Sequence, residues 1–518
     1  MDNPVSSLLS LRRGARFSVP RRHSCRRSAL LLLFASLLSP LACARAQVRP
    51  AAVAGAFYPA DPTTLAKMVD DFLARATPPA VDGTIQALVS PHAGYEFSGA
   101  VAAYGYSLVK GKHYDRVVVI APSHVDPFSF VSVYNGDAYQ TPLGTVPVDK
   151  VFCKKIVSGE LVQLSSRGHI IPGERGEHAL EDELPFLQRA IGEFKLVPII
   201  MGDQSYEASR QLGLALAREI KGSNTLIVAS SDLSHYHPYD EAVKLDHKTL
   251  RAIQEWDYLS LSENFERRVW EACGGAPIVT AMIASERLGA SEPHLLKYAN
   301  TGDVTGDKSH VVGYSSWAFV KPLKARAAAA PEFTLSDAEK DALLKLARQS
   351  VESAVKERKV FEDVPVRFES FTQERGAFVT LKEHGDLRGC IGSISPVWPL
   401  AVTVRNVAAE AAIEDPRFQP VSEGELGQLE YEISVLSPLR RVLDVNRIQV
   451  GRDGLIMKQG DKSGLLLPQV PVEQHWDRKT FLEETCHKAG LPPDAWQQPD
   501  TDIFSFTALV FGERKSSK

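Results

Sequence analysis

Apolar residues in this chain fall into short unbroken runs separated by stretches of helical period. Residues 85–89, 116–121, 194–201 and Thr225–Ser230 are runs of consecutive β-branched and small apolar residues. That is the pattern of strands buried on both faces. Between them lie helix-period segments. Residues 61–76 put Leu65, Met68, Val69 and Phe72 on one stripe, and 98–109 are rich in small residues. Residues 177–191 also keep a helical period, which Pro185 is expected to interrupt. Residues 239–253 and 278–288 are two more helices, and 295–301 and 311–320 read as closing strands. Strands alternating with helices predict an α/β domain with a parallel-rich sheet over residues 48–320.

The pattern then changes. Residues 321–332 are Ala-rich and basic with no apolar period, which predicts a linker open to proteolysis. From Phe333 onward, Ser336 caps a helix running to about 356, with acidic residues in its first turn. Residues 377–381, 430–436, 454–458 and 504–511 read as strands, and 473–489 as a helix ending at Gly490. This segment, 333–514, reads as a second domain of helices and strands.

Composition adds a compartment. The chain has 518 residues and a formal net charge of -4. Basic residues are dispersed, which argues against a nucleic-acid partner. At the N-terminus, Arg12, Arg13, Arg16, Arg21, Arg22, Arg26 and Arg27 precede an apolar run that ends in Ala44-Arg45-Ala46. This is a signal-peptide pattern over 1–46. It predicts a protein exported to the periplasm or beyond, and not integral to a membrane once the leader is removed. If the true start lies downstream of the leader, the protein is cytoplasmic. Six Cys, two of them in the leader, make neither a disulfide framework nor a CxxC zinc site.

The candidate chemistry sits at strand ends. Three of the apolar runs lead directly into His92, into His124, and into Asp232 with His235. Sites in open α/β sheets form in the crevice beyond the carboxyl ends of strands. A strand-end His alone is more often structural, but the repetition argues for a site. Cys273 precedes two glycines and opens a helix, where a thiol is expected to ionise readily; a small buried Cys is the alternative. His178 beside Glu177 is a candidate support for a metal ligand, and His237 is expected in an exposed loop. Asp232 is expected to fix the His235 tautomer and raise its pKa, as a general base requires; a turn-capping role is the alternative. In the second domain Cys390, beside Arg388 in a glycine-rich turn, is a candidate activated thiol, with Asp415 and Arg417 nearby in sequence order. A turn that simply needs glycine is the alternative there.

These residues lie in ordered motifs. PHAGY (91–95), PSH (122–124), EHALEDELPFL (177–187), SSDLSH (230–235) and CGGAPI (273–278) resemble the Memo family, also called AmmeMemoRadiSam system protein B. The resemblance implies the fold of the class III extradiol dioxygenases, which use non-haem iron. It also implies one Fe or Cu ion on His92, His124 and Cys273, with Asp232 and His235 as neighbouring catalytic positions. The dioxygenase metal set is two His and a carboxylate, so Cys273 is a departure that favours softer metals. LRGCIG (387–392), EDPRF (414–418), ISVLSP (433–438) and GLLLPQV (464–470) resemble the AMMECR-type domain, AmmeMemoRadiSam system protein A, which implies an α+β fold over 333–514. The pair implies a radical-SAM system partner; the CxxxCxxC cluster motif of such a protein does not occur in this chain. The expected function is a non-haem metal redox protein, dioxygenase-like, acting on a small organic substrate. The alternatives are a copper- or iron-binding chaperone and a peptide-binding interaction protein.

Overall fold

Burial on both faces organises the first half of the chain. In this computed structural model, residues 46–170, 176–323, 333–364, 368–394 and 396–513 are described. The expected signal peptide, but for Ala46, and linker residues 324–332 lie outside them. The nine strands of the main sheet are β1 (Thr84–Ser90), β2 (Arg116–Pro122), β3 (Val131–Tyr134), β4 (Val162–Ser165), β5 (Lys195–Met201), β6 (Thr225–Ser230), β7 (His235–His237), β8 (Glu292–Asn300) and β9 (Val311–Lys321). Their order is β7-β9-β1-β6-β2-β5-β3-β4, with β8 on the other side of β9. The central four, β1, β6, β2 and β5, are parallel. They carry Leu88, Val89, Val118, Ile120, Ile199, Ile227 and Val228, all fully buried. A parallel order of this kind sets the carboxyl ends of β1, β6 and β2 side by side. Those are the three ends that precede His92, Asp232 and His124.

Two helices differ from the sequence expectation for identifiable reasons. The helix expected over 177–191 begins only at Glu183 and runs to Ile191. Pro185 lies in its first turn, where the amide has no helical partner to lose, so it interrupts nothing. The helix expected over 473–489 is two pieces, Gln469–Glu473 and Arg478–Lys488. His475 takes a left-handed backbone between them, and the Asp477 side chain caps the second piece through the Thr480 amide.

The second region is α+β. Its antiparallel sheet comprises β10 (Ala377–Glu383), β11 (Asp386–Ser393), β12 (Leu429–Leu436), β13 (Arg440–Arg441), β14 (Asp453–Gln459), β15 (Lys462–Leu466) and β16 (Asp502–Gly512), in the order β11-β10-β12-β16-β14-β15, with β13 on β16. The helices Asp337–Glu357 and Leu400–Ile413 cover one face with their apolar sides. Here LRGCIG is not a turn. It forms most of the edge strand β11, and neither of its glycines has positive φ.

The two regions share a core. Leu436, Leu439, Ile456, Leu467, Phe504 and Phe506 of the second region belong to the apolar cluster of the first. Across the same boundary Asp502 is a buried charge hub. It accepts from Tyr206 Oη at 2.9 Å, from Arg210 Nε at 2.6 Å and from Arg441 Nε at 2.9 Å. Burial alone would raise its pKa, but Arg441 and Arg210 outweigh burial and hold it below the ordinary carboxylate range. Asp257 accepts from the Leu439 amide at 3.3 Å, and Lys248 pairs with Glu374 at 2.8 Å.

Asp502→Ala strands two arginines in a buried site. It should destabilise the full chain by about 3–5 kcal/mol in urea unfolding; a change under about 1 kcal/mol would show that the hub does not join the regions. Because the folded pKa of Asp502 lies below its unfolded value, its stabilising effect is complete above about pH 4 and is lost as pH falls through the lower folded value. Acid titration of Asp502→Asn should therefore lack part of the wild-type's loss of stability below pH 4.

Candidate metal centre

Each strand-end side chain is oriented by a buried oxygen behind it. His92 is 1% exposed, and its amide donates to Asp232 Oδ1 at 2.9 Å. Its ring Nδ1 lies 2.8 Å from Ser230 Oγ, the last residue of β6. Ser230 donates its one proton to acceptors, the Ala179 carbonyl or Glu183 Oε1, each at 2.7 Å. It can therefore only accept from His92, which puts the imidazole proton on Nδ1 and leaves Nε2 as a free lone pair. Burial, with three neighbouring imidazoles, drives the His92 pKa well down and keeps the ring neutral. Its Nε2 faces Cys273 Sγ at 3.2 Å.

His124 is set by Glu177. The carboxylate takes the ring Nδ1 at 2.9 Å, the amides of His178 at 2.9 Å and Ala179 at 3.0 Å, and the His124 amide. Glu177 is 1% exposed; burial acts against its charge, yet His124 and these amides hold it at a pKa of about 2. In return, and against the pull of burial, Glu177 raises the His124 pKa. The Nε2 of His124 is again the atom left for a ligand.

Cys273 arrives from the other side of the crevice. It precedes the helix Gly275–Arg287, which is buried along most of its length. A Cβ on Gly274 would stand 2.2 Å from the Ser230 carbonyl oxygen, so this glycine is what lets the helix start reach the end of β6. The Asp232 amide donates to Cys273 Sγ at 3.2 Å. The expectation of an easily ionised thiol is not met. Burial, with the Asp232 carboxyl, pushes the Cys273 pKa well above its ordinary value despite the helix start.

Asp232 and His235 are both here, but not as a bonded pair. Asp232 holds the His92 amide, and burial raises its pKa to about 7. His235 sends Nδ1–H to the Leu233 carbonyl at 2.8 Å, which fixes its tautomer without Asp232. Burial lowers the His235 pKa instead of raising it. His178 stacks on His124 at 4.9 Å and lies 3.3 Å from Glu177, the carboxylate that also holds the His124 ring. His237 is in β7, not a loop, and holds both oxygens of Glu271 at 3.0 Å.

The donor atoms of His92, His124 and Cys273 lie within 4.8 Å of one another, as do those of Asp232, His235 and Cys273. Two imidazole lone pairs, each with its other nitrogen committed, and one thiol that can lose its proton fit a single soft or borderline metal ion. Sequence reasoning missed Ser230, Glu183 and Tyr106, whose hydroxyl donates to Glu183 Oε2 at 2.5 Å. Only the position of Ser230 at a strand end hinted at its role. In the second region Arg388 pairs with Glu425 at 2.7 Å, while Asp415 and Arg417 both hold the backbone of Cys390.

A family model for Memo-like protein matches residues 49–318, and a model for AMMECR1 matches residues 344–511. The MEMO1 family protein MK0963 of Methanopyrus kandleri is 38% identical over 282 residues, 52% of this chain and 98% of that protein. Protein TK0174 of Thermococcus kodakarensis is 46% identical over 181 residues, 33% of this chain and 88% of its own. The crystal structure of uncharacterized protein PH0010 from Pyrococcus horikoshii aligns with a TM-score of 0.34 and 42% identity, over 35% of this chain and 95% of that one. The strand-end histidines lie inside the first of these matches, and the chain accordingly belongs to the Memo-like family, with an AMMECR1 region fused behind it.

Proposed function

We propose that this protein is a non-haem metal redox protein in which His92, His124 and Cys273 hold one Fe or Cu ion beside a small hydroxyl-bearing organic substrate. The observation that carries the reading is the convergence of those three donors, with Asp232 and His235 left over next to them. A bound ion of this kind would supply Lewis acidity and a redox couple. The first region is read as sharing the fold of the class III extradiol dioxygenases, and a radical-SAM system protein as its partner.

The remaining residues handle protons and solvent. His235 is neutral near pH 7 because burial lowers its pKa, and its Nε2 is the atom left to take a proton from a substrate hydroxyl. Asp232, at about 7, changes charge in the working range and can take or return that proton. Ser230 and Glu177 keep the two metal-facing rings in one tautomer throughout.

Cys273→Ser should leave the circular dichroism spectrum intact and remove most bound iron or copper, measured by elemental analysis of the isolated protein; full metal content in the variant would refute the ligand assignment. In a metal-loaded sample, His235→Gln should keep the metal and slow oxygen uptake with a panel of dihydroxyaromatic acids by about 100-fold. Wild-type protein that binds copper tightly and consumes no oxygen with any of them would favour the chaperone reading.

Without metal, Asp232 and Glu183 are both raised by burial to about 7. Their folded values lie above their unfolded ones, so their contribution to stability is complete below about pH 4 and is lost as pH rises through 7. The melting temperature of the metal-free protein should fall between about pH 4 and 7 and level off above that. Asp232→Asn should flatten that fall, and an unchanged profile in the variant would contradict the cause.

A further inference from the structure

The boundary between the two regions holds a cavity as well as an ionic hub. The cavity has a volume of about 310 Å³. Arg251 and Glu255 line it from the first region, and Glu369, Thr372, Gln373 and Arg375 from the second. Arg251 lies in the last turn of the helix Tyr239–Gln254, and Glu255 follows that helix directly. Glu369 opens the short helix Glu369–Thr372, and Gln373 ends it. The backbone around the cavity is held in place. Lys248, one turn before Arg251, pairs with Glu374 at 2.8 Å, and the Gln373 carbonyl accepts the Leu400 amide at 2.8 Å.

The charges that line the cavity are not used elsewhere. The side chains of Arg251, Glu255, Glu369 and Arg375 make no hydrogen bond or ion pair among the described residues. Arg251 and Glu369 are exposed, while Glu255 and Arg375 are half-buried, so each sign of charge stands both at the rim and deeper in the wall. Arg375 is the most constrained of the four. Its guanidinium lies over the Phe333 ring at 4.4 Å, and its Nε is closed to solvent without an acceptor. Burial lowers its pKa, and Glu255 offsets that only in part. Glu255 is the mirror case, since burial raises its pKa against the pull of Arg375, Arg251 and Arg440. Groups in this condition carry a cost of burial that a bound counter-charge removes.

We propose that this cavity binds a small zwitterion, a free α-amino acid, with its carboxylate on Arg251 and Arg375 and its ammonium on Glu255 and Glu369. A carboxylate alone would answer the two arginines but face two glutamates, and an amine alone would meet the reverse. A molecule that carries both charges on neighbouring atoms answers all four. A guanidinium fork suits a carboxylate in particular, and the Gln373 side chain adds a donor and an acceptor. The volume is at the small end for ligand pockets, which fits a molecule of this size, and domain boundaries are common places for such pockets. Each region supplies one arginine and one glutamate, so the site is complete only where the two regions meet. It shares no residue with the metal centre and does not depend on the reading given there.

The test is isothermal titration calorimetry of the full chain with glycine, L-alanine, L-glutamine and L-leucine, against propionate and ethylamine. At least one of the amino acids should bind, and propionate and ethylamine should each bind at least about tenfold more weakly. Arg251→Gln and Glu255→Gln should each weaken the amino acid by about tenfold or more, with the circular dichroism spectrum unchanged. Arg251 is exposed, so its replacement removes a charge without opening the core. No binding of any of the four amino acids would show that the cavity holds water only. Propionate binding as tightly as the amino acids would make it a plain anion site, and undiminished binding in both variants would put the ligand elsewhere. Each of these results would overturn the proposal.

Discussion

Two buried oxygens acting on two imidazoles set the geometry on which the rest depends. Ser230 and Glu177 each commit one nitrogen of a histidine, and so aim the other into the crevice. Neither could do so at the surface. Water would compete for both rings, and Glu177 could not gather three amides as well as a ring. The cost is burial of charge. It is met by concentrating hydrogen bonds on Glu177, and by letting Asp232 and Glu183 approach neutrality. The parallel sheet makes this affordable, because it brings three strand ends to one edge without any of them crossing open solvent.

Much of this was legible in the chain. Runs such as Thr225–Ser230 have no polar face, so they could only be central strands, and the residues after them could only be at the carboxyl edge. The pattern alone thus places His92, His124, Asp232 and His235 at that edge. What the pattern could not give was direction. Whether Asp232 meets His235 or the His92 amide depends on one turn of backbone, and the structure chooses the amide. The thiol of Cys273 misled for a related reason. A helix start favours the thiolate, but full burial beside a carboxyl outweighs it, and burial depth is not written in a local motif. LRGCIG misled through its glycines. They read as a turn, yet both serve close packing in a strand, one under a helix backbone and one under a ring.

The fusion has a physical consequence. The regions share an apolar cluster and a buried ionic hub at Asp502. Such a junction fixes the two regions against each other, unlike a flexible tether that only raises local concentration.

The central claim is that two imidazoles and one thiolate hold a single ion. X-ray absorption at the metal edge of the iron- or copper-loaded protein tests it most directly. The account predicts one sulfur scatterer together with two imidazoles, and loss of the sulfur in Cys273→Ser. A wild-type spectrum fitted by nitrogen and oxygen alone would contradict it.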